Sequence, residues 1–155
     1  MERISYDLIE EPTGETYKQL IQCSMQCCGE FSLVIRDSAP LKDSATRLVE
    51  KLAPFTTSRS RQSEWPGTEL LDETATVLRV ALSSDSAGVL EETALGLFDW
   101  VQPGLPEDLC LYRFDGAPWL VTIAHEKDGY LLLSPAEKSL LAARLPQLAL
   151  SEESI

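Results

Sequence analysis

His125 is the single histidine of the chain, and Glu126 follows it directly. A histidine beside a carboxylate can act as a general acid or base near neutral pH. Adjacent residues of a strand point to opposite faces, so Glu126 orients His125 only where the strand has ended. Arg113 and Cys110, from the neighbouring stretch, would complete the set available to a small enzyme or ligand-binding protein. Four cysteines, Cys23, Cys27, Cys28 and Cys110, offer the other chemistry. Cys23 and Cys27 are four apart, hence on one face of a helix, with Cys28 rotated by about 100°. A thiolate zinc site needs three or four converging nitrogen or sulfur ligands. Cys110 or His125 would have to complete it from far along the chain, and no CxxC occurs. The thiols are therefore expected to behave as small buried hydrophobes, with no metal bound.

Other motifs narrow the field. P-loop, GxGxxG, GxSxG and HExxH patterns are absent. Bases interleaved with aromatics, as in nucleic-acid binders, are confined to Arg59, Arg61 and Trp65. Neither an assembled catalytic set nor a cofactor is expected.

The elements that must position these residues centre on Leu105 to Leu133. Leu109 to Phe114 is a short apolar run interrupted by Arg113, and Asp115-Gly116 suits a reversing turn. Trp119 to His125 then alternates, with Trp119, Val121, Ile123 and His125 on one face and Leu120, Thr122 and Ala124 on the other. Lys127-Asp128-Gly129 is a second turn, and Tyr130 to Leu133 a third strand. Short loops between consecutive strands predict an antiparallel meander over 109–133. Both faces of its middle strand are largely apolar, which predicts a central strand covered by helices.

Upstream, Ile4 to Leu8 alternates as an edge strand. A helix runs from about Glu15 to Cys28 with Gly29 as its stop, and Phe31 to Arg36 is a strand. Ser38 and Pro40 open a second helix that Pro54 ends. Thr56 to Ser63 reads as an exposed strand or a mobile loop, Trp65-Pro66-Gly67-Thr68 as a turn, and Thr74 to Leu82 as a strand. A third helix runs from the Ser83–Ser86 cluster to about Val101, and Ser134-Pro135 caps a fourth. The result is an α+β chain: one domain over residues 1–150, a mainly antiparallel or mixed sheet, about four packed helices, and a frayed acidic tail at 151–155.

The net charge of −12 is unevenly placed. Residues 1–63 carry nine acids against eight bases, whereas residues 64–155 carry sixteen against five. Such a field disfavours nucleic acid and anionic membrane surfaces and suits a basic partner. No stretch approaches the roughly 20 apolar residues that span a bilayer, and MERISYDLIEEP has no secretory core, so a cytoplasmic location is expected.

Three strings carry a resemblance: Trp65-Pro66-Gly67-Thr68; Leu105-Pro106-Glu107-Asp108-Leu109-Cys110; and Asp115-Gly116 followed by Trp119-Leu120-Val121-Thr122-Ile123-Ala124-His125-Glu126. Together they resemble a family of small bacterial proteins of unassigned function, chiefly from Bacillus-like organisms, some labelled stage III sporulation protein AH. The resemblance covers roughly residues 15 to 135 and implies a bacterial cytosolic protein. The sporulation role is not carried over, because the subunit of that label is membrane-anchored and no anchor is read here.

The functional expectation is a non-enzymatic acidic protein-binding module: a regulator, an adaptor or an immunity-type inhibitor. Its partner is a protein with a basic surface, met by Glu91, Glu92 and Asp99 on the third helix and by Glu107 and Asp108 just after it. The alternative is a small enzyme or ligand-binding protein using Arg113, His125 and Glu126. A thiolate zinc site ranks third.

Overall fold

In the computed structural model, which describes residues 2–151, seven strands form one sheet in which every neighbouring pair is antiparallel. They are β1 (Ile4–Asp7), β2 (Cys28–Arg36), β3 (Thr56–Gln62), β6 (Ala75–Ala81), β7 (Glu107–Arg113), β8 (Pro118–Ile123) and β9 (Asp128–Leu133). Their order across the sheet is β1-β9-β8-β7-β2-β6-β3. The expected meander is therefore present as β7–β8–β9, and β7 is its most interior member, with all seven residues buried. Thr56 to Gln62 is an edge strand rather than a loop. Between β3 and β6 the chain makes a small hairpin of its own, β4 (Glu64–Trp65) and β5 (Thr68–Glu69).

Four helices, α1 (Gly14–Ser24), α2 (Asp43–Leu52), α3 (Ser84–Thr93) and α4 (Pro135–Arg144), bury their large apolar side chains in one core against the sheet. Tyr17, Leu20, Leu48, Leu52, Leu90 and Leu141 meet Phe31, Leu33, Leu78, Leu109, Leu111 and Leu120 there. Trp100, fully buried, donates its indole N–H to the Tyr17 hydroxyl at 3.0 Å, and that hydroxyl donates to the Leu90 carbonyl at 2.6 Å. Both polar ends of this aromatic pair are thus satisfied inside the core. The opposite face of the sheet holds two small clusters, Val34, Trp65, Ala75 and Val77, and Cys110, Tyr112 and Val121, to which no helix contributes. The expectation of helices over both faces is corrected accordingly: the β4–β5 hairpin closes part of the second face. Pro66 and Gly67 form its turn, and Gly67 takes φ +91. A Cβ there would meet Val121 and Ile123 at 3.0 Å, so glycine is needed for the turn and for the close approach to β8.

Several helix ends differ from the periodicity. α3 stops at Thr93, not at Val101. Ala94 turns extended, the backbone of Gly96 bridges to Thr13, and Leu97–Asp99 form a separate single turn. Backbone pairing with the segment before α1 outweighs helical continuation. α1 likewise ends at Ser24, leaving Gly29 inside β2, and α2 starts only at Asp43. Ser151, expected to head a frayed tail, donates its N–H to the Asp7 carbonyl at 2.9 Å and accepts the Asp7 N–H at 2.8 Å. Residues 152–155 of that expected tail lie outside the described residues.

Three register shifts interrupt the ladders around β7, and they decide which side chains share a face. Against β2, the pairs Ser32↔Cys110 and Val34↔Glu107 leave β7 one residue longer, and Asp108 in that gap adopts φ 57. Cys28↔Arg113 and Glu30↔Tyr112 leave Gly29 unpaired on β2. Between β7 and β8, Leu111↔Leu120 and Tyr112↔Pro118 leave Trp119 unpaired. Each is a β-bulge, which bends a strand and re-aims its side chains.

Candidate functional site

The bulge at Asp108 places two consecutive carboxylates, Glu107 and Asp108, beneath the second face of the sheet. In a regular strand they would point to opposite sides. Both are fully buried. This corrects the expectation that they lie on an exposed acidic surface with Glu91 and Glu92.

Asp108 is a structural acceptor. One carboxylate oxygen takes the indole N–H of Trp65 at 2.9 Å, and the other takes the backbone N–H of Ala124 at 3.0 Å. It thereby ties the β4–β5 hairpin to the single 3-10 turn Ala124–Glu126 that carries His125. Its own N–H donates to the Trp100 carbonyl at 3.2 Å. Glu107 is held differently. Its Oε2 lies 2.8 Å from His125 Nε2 and 3.0 Å from Arg36 Nε. Those contacts are close but poorly directed as hydrogen bonds. Burial pushes the Glu107 carboxyl up and Asp108 adds to the rise, while Arg36, His125 and the Gln102 backbone oppose it. Arg36 also lies 3.8 Å from Asp108 Oδ2 and over the Trp65 ring at 5.5 Å. Gln102 fixes the backbone of Arg36, accepting its N–H at 2.6 Å and donating to its carbonyl at 3.1 Å.

Above this cluster opens a groove of about 510 Å³, lined by Arg36, Gly67, Thr68, Glu69, Ile123, His125 and Glu126. The side chain of His125 is 51% exposed into it. The strand does end before His125, as a general-base role would require. Its carboxylate neighbour is the distant Glu107 rather than the adjacent Glu126, which stands exposed on the groove's wall. Glu69, exposed on β5, lines the same groove. Among the described residues, the side-chain carboxylates of Glu69 and Glu126 make no hydrogen bond and no ion pair.

The remaining predicted positions disperse. Arg113 forms a forked pair with Glu137 of α4, at 2.7 and 2.9 Å, and donates to the Leu132 carbonyl at 2.8 Å. It does not join His125 and Glu126. Glu91 accepts the Gln22 side-chain amide at 3.0 Å, Glu92 is exposed, and Asp99 accepts the N–H groups of Leu95 and Gly96 at 2.9 and 3.0 Å. Asp99 is thus occupied in closing the turn that follows α3. Cys110 belongs to the second face, whereas Cys23 and Cys27 pack against the helix-side core, so the four thiols do not converge.

Residue-type reasoning missed Arg36, Trp65 and Glu69 as parts of one site. The usable signal was the WPGTE string, whose Pro-Gly turn places Glu69 two residues beyond Gly67. Nothing in the residue types marks the bulge that gathers Glu107 and Asp108.

An antiparallel α+β fold with an acid-walled groove over two buried carboxylates, a partly exposed arginine and a half-exposed histidine defines the molecule's class. Comparison with protein-family models, with curated proteins and with solved structures finds no match. Among the described residues no helix is long and apolar enough to cross a membrane.

Proposed function

We propose that this chain is a non-enzymatic acidic binding module of a bacterial cytosol, and that it takes a basic segment of a partner protein in the groove beside His125. The observation that carries the reading is that two exposed carboxylates without a partner, Glu69 and Glu126, both line that groove. Beneath them the two charges of Glu107 and Asp108 are met by Arg36 and, when it is protonated, by His125. The floor is therefore close to neutral and the walls are negative, which suits a lysine or arginine side chain entering between them. The partner role moves from Glu107 and Asp108 to Glu69 and Glu126, with Glu91 and Glu92 of α3 kept as a second, outlying acidic face. A regulator, an adaptor or an immunity-type inhibitor would each use such a surface.

The test compares two variants as bait in a bacterial lysate at low and high salt. Glu69→Lys/Glu126→Lys is expected to lose the captured partner, and Glu91→Lys/Glu92→Lys to retain most of it. Equal retention by both would sink the groove as the binding surface. The 2.8 Å contact between His125 and Glu107 favours a second reading, a small enzyme or ligand-binding protein with His125 as its base. On that reading His125→Gln abolishes an activity while leaving partner capture unchanged.

A further inference from the structure

Cys27 and Cys28 are adjacent where α1 gives way to β2, and their sulfurs lie 3.8 Å apart. Their surroundings differ. Cys28 is buried at the start of β2. Cys27 is partly exposed and lines a mainly apolar groove of about 230 Å³ on the helix side, where Cys23, Trp119, Leu133, Leu140 and Leu141 are joined by Gln26, Glu137 and Arg144. Two large apolar side chains stand open to solvent nearby. Leu140, on the groove wall, is 66% exposed; Phe114, whose N–H donates to the Cys27 carbonyl at 3.1 Å, is 72% exposed. An accessible thiol thus stands at an apolar opening with a second thiol buried behind it. The Cys28 thiol favours the thiolate at Cys27, burial opposes it, and Arg113 favours it further. The neighbouring sulfur and burial keep Cys28 protonated. A thiolate is the nucleophilic form of cysteine, and a nearby resolving thiol stops oxidation at a reversible stage.

We propose that Cys27 and Cys28 form a dithiol that reduces an apolar organic hydroperoxide admitted by this groove. The Cys27 thiolate attacks the terminal oxygen of ROOH, the O–O bond breaks, and RO⁻ takes up the proton that Cys27 had released, leaving as ROH. Cys27 is now a sulfenic acid. Oxidation removes the Cys27 thiolate charge that held the Cys28 proton; that proton passes to the sulfenic hydroxyl as the Cys28 sulfur attacks the Cys27 sulfur, the S–O bond breaks, an S–S bond forms and water leaves. Two thiols and one hydroperoxide give one disulfide, one alcohol and one water. Neighbouring Cα atoms are about 3.8 Å apart, closer than the ~4.4–6.8 Å of ordinary disulfides. The product is strained and readily reduced, which suits a reversible site rather than a permanent cross-link.

The experiment adds one equivalent of cumene hydroperoxide, or of hydrogen peroxide, to the reduced full-length chain and follows free thiols and peptide masses. Two of the four thiols should disappear, with the new bond mapped between Cys27 and Cys28. The organic peroxide should react at least about tenfold faster than hydrogen peroxide, because the opening is apolar. Cys27→Ser should remove the fast phase. Cys28→Ser should stop at a sulfenic acid on Cys27 that dimedone captures, and Cys110→Ser, on the opposite face of the sheet and outside the groove, should change neither result. The urea-unfolded wild-type chain serves as the reference for an unassisted thiol. Fast thiol loss that survives Cys27→Ser, a bond mapped to Cys23, equal rates for the two peroxides, or a folded rate no greater than the unfolded one would overturn the proposal.

Discussion

Asp108 shows how one residue serves backbone and site together. Its φ of 57 is a conformation that aspartate tolerates better than most residues, because its short side chain bonds locally. Here that side chain accepts from Trp65 and Ala124 instead, two groups that would otherwise be buried without partners. Asp108→Ala should cost about 2–4 kcal/mol in urea denaturation, from two orphaned donors and an unfavourable backbone. Asp108→Asn, which keeps one acceptor oxygen and the left-handed tolerance, should lose less than half of that. Equal losses would show that the carboxylate is not what holds the hairpin. Glu137 makes the opposite case, a partly exposed acid with a strong partner. Arg113, followed by the Ser134 cap, holds its carboxyl at about 2, below the ordinary 4.5. Folding therefore gains from the ionised form above about pH 4.5, and the gain is lost as the pH falls through that value toward about 2. With 34% of the side chain exposed, solvent screening leaves about 1–2 kcal/mol of this contribution. Glu137→Gln should lower stability at neutral pH by that amount and flatten the acid limb of the stability curve. An unchanged limb would assign the acid sensitivity elsewhere.

At the scale of elements, what was legible in the sequence followed from periodicity, and what was not followed from the bulges. The β-branched and apolar runs marked β2, β6, β8 and β9, and the short loops marked the meander. Strict alternation then placed Trp119 on the face of Val121 and His125. The unpaired position of Trp119 opposite β7 turns its ring into the helix-side core beside Leu120, because a bulge shifts the side-chain period by one. The same logic hid the site: alternation separates Glu107 from Asp108, and only the extra residue in β7 brings both beneath one face. α3 was overextended for a different reason. Leu97 and Phe98 continue its apolar stripe, but Asp99 and the bridge to Thr13 fix a turn that helical spacing cannot distinguish from a further helical turn. Trp119→Ala should cost about 3–5 kcal/mol, as for a buried aromatic ring. It should also speed amide exchange through β7 and β8, which ought to be the slowest-exchanging strands because β7 is paired on both sides deep in the sheet. A cost below about 1 kcal/mol would mean that the helices close over the gap without the ring.

For the whole molecule, the uneven charge has a spatial consequence. The acidic second half supplies Glu91 and Glu92 on α3 in the helix layer, and Glu69 and Glu126 on the groove across the sheet. A sheet and a packed helix place these pairs more than one Debye length apart, about 8 Å at physiological ionic strength. They should therefore act on a basic partner in separable ways. The α3 pair contributes only to the long-range field that raises the encounter rate. The groove pair would touch the bound segment, so removing it also hastens dissociation. In stopped-flow association with a captured partner, Glu91→Lys/Glu92→Lys should lower the on-rate severalfold at low salt and very little at high salt, with the off-rate unchanged. Glu69→Lys/Glu126→Lys should raise the off-rate at both salt concentrations, because contacts made inside a groove are screened far less than charges in open water. Both variants should unfold at the wild-type denaturant midpoint, since Glu92, Glu69 and Glu126 are exposed and Glu91 is bonded only to an amide on the surface. An on-rate indifferent to salt and to the α3 pair would remove steering from the account. An off-rate indifferent to the groove pair would remove the groove, and the His125–Glu107 contact would then be the stronger lead to function.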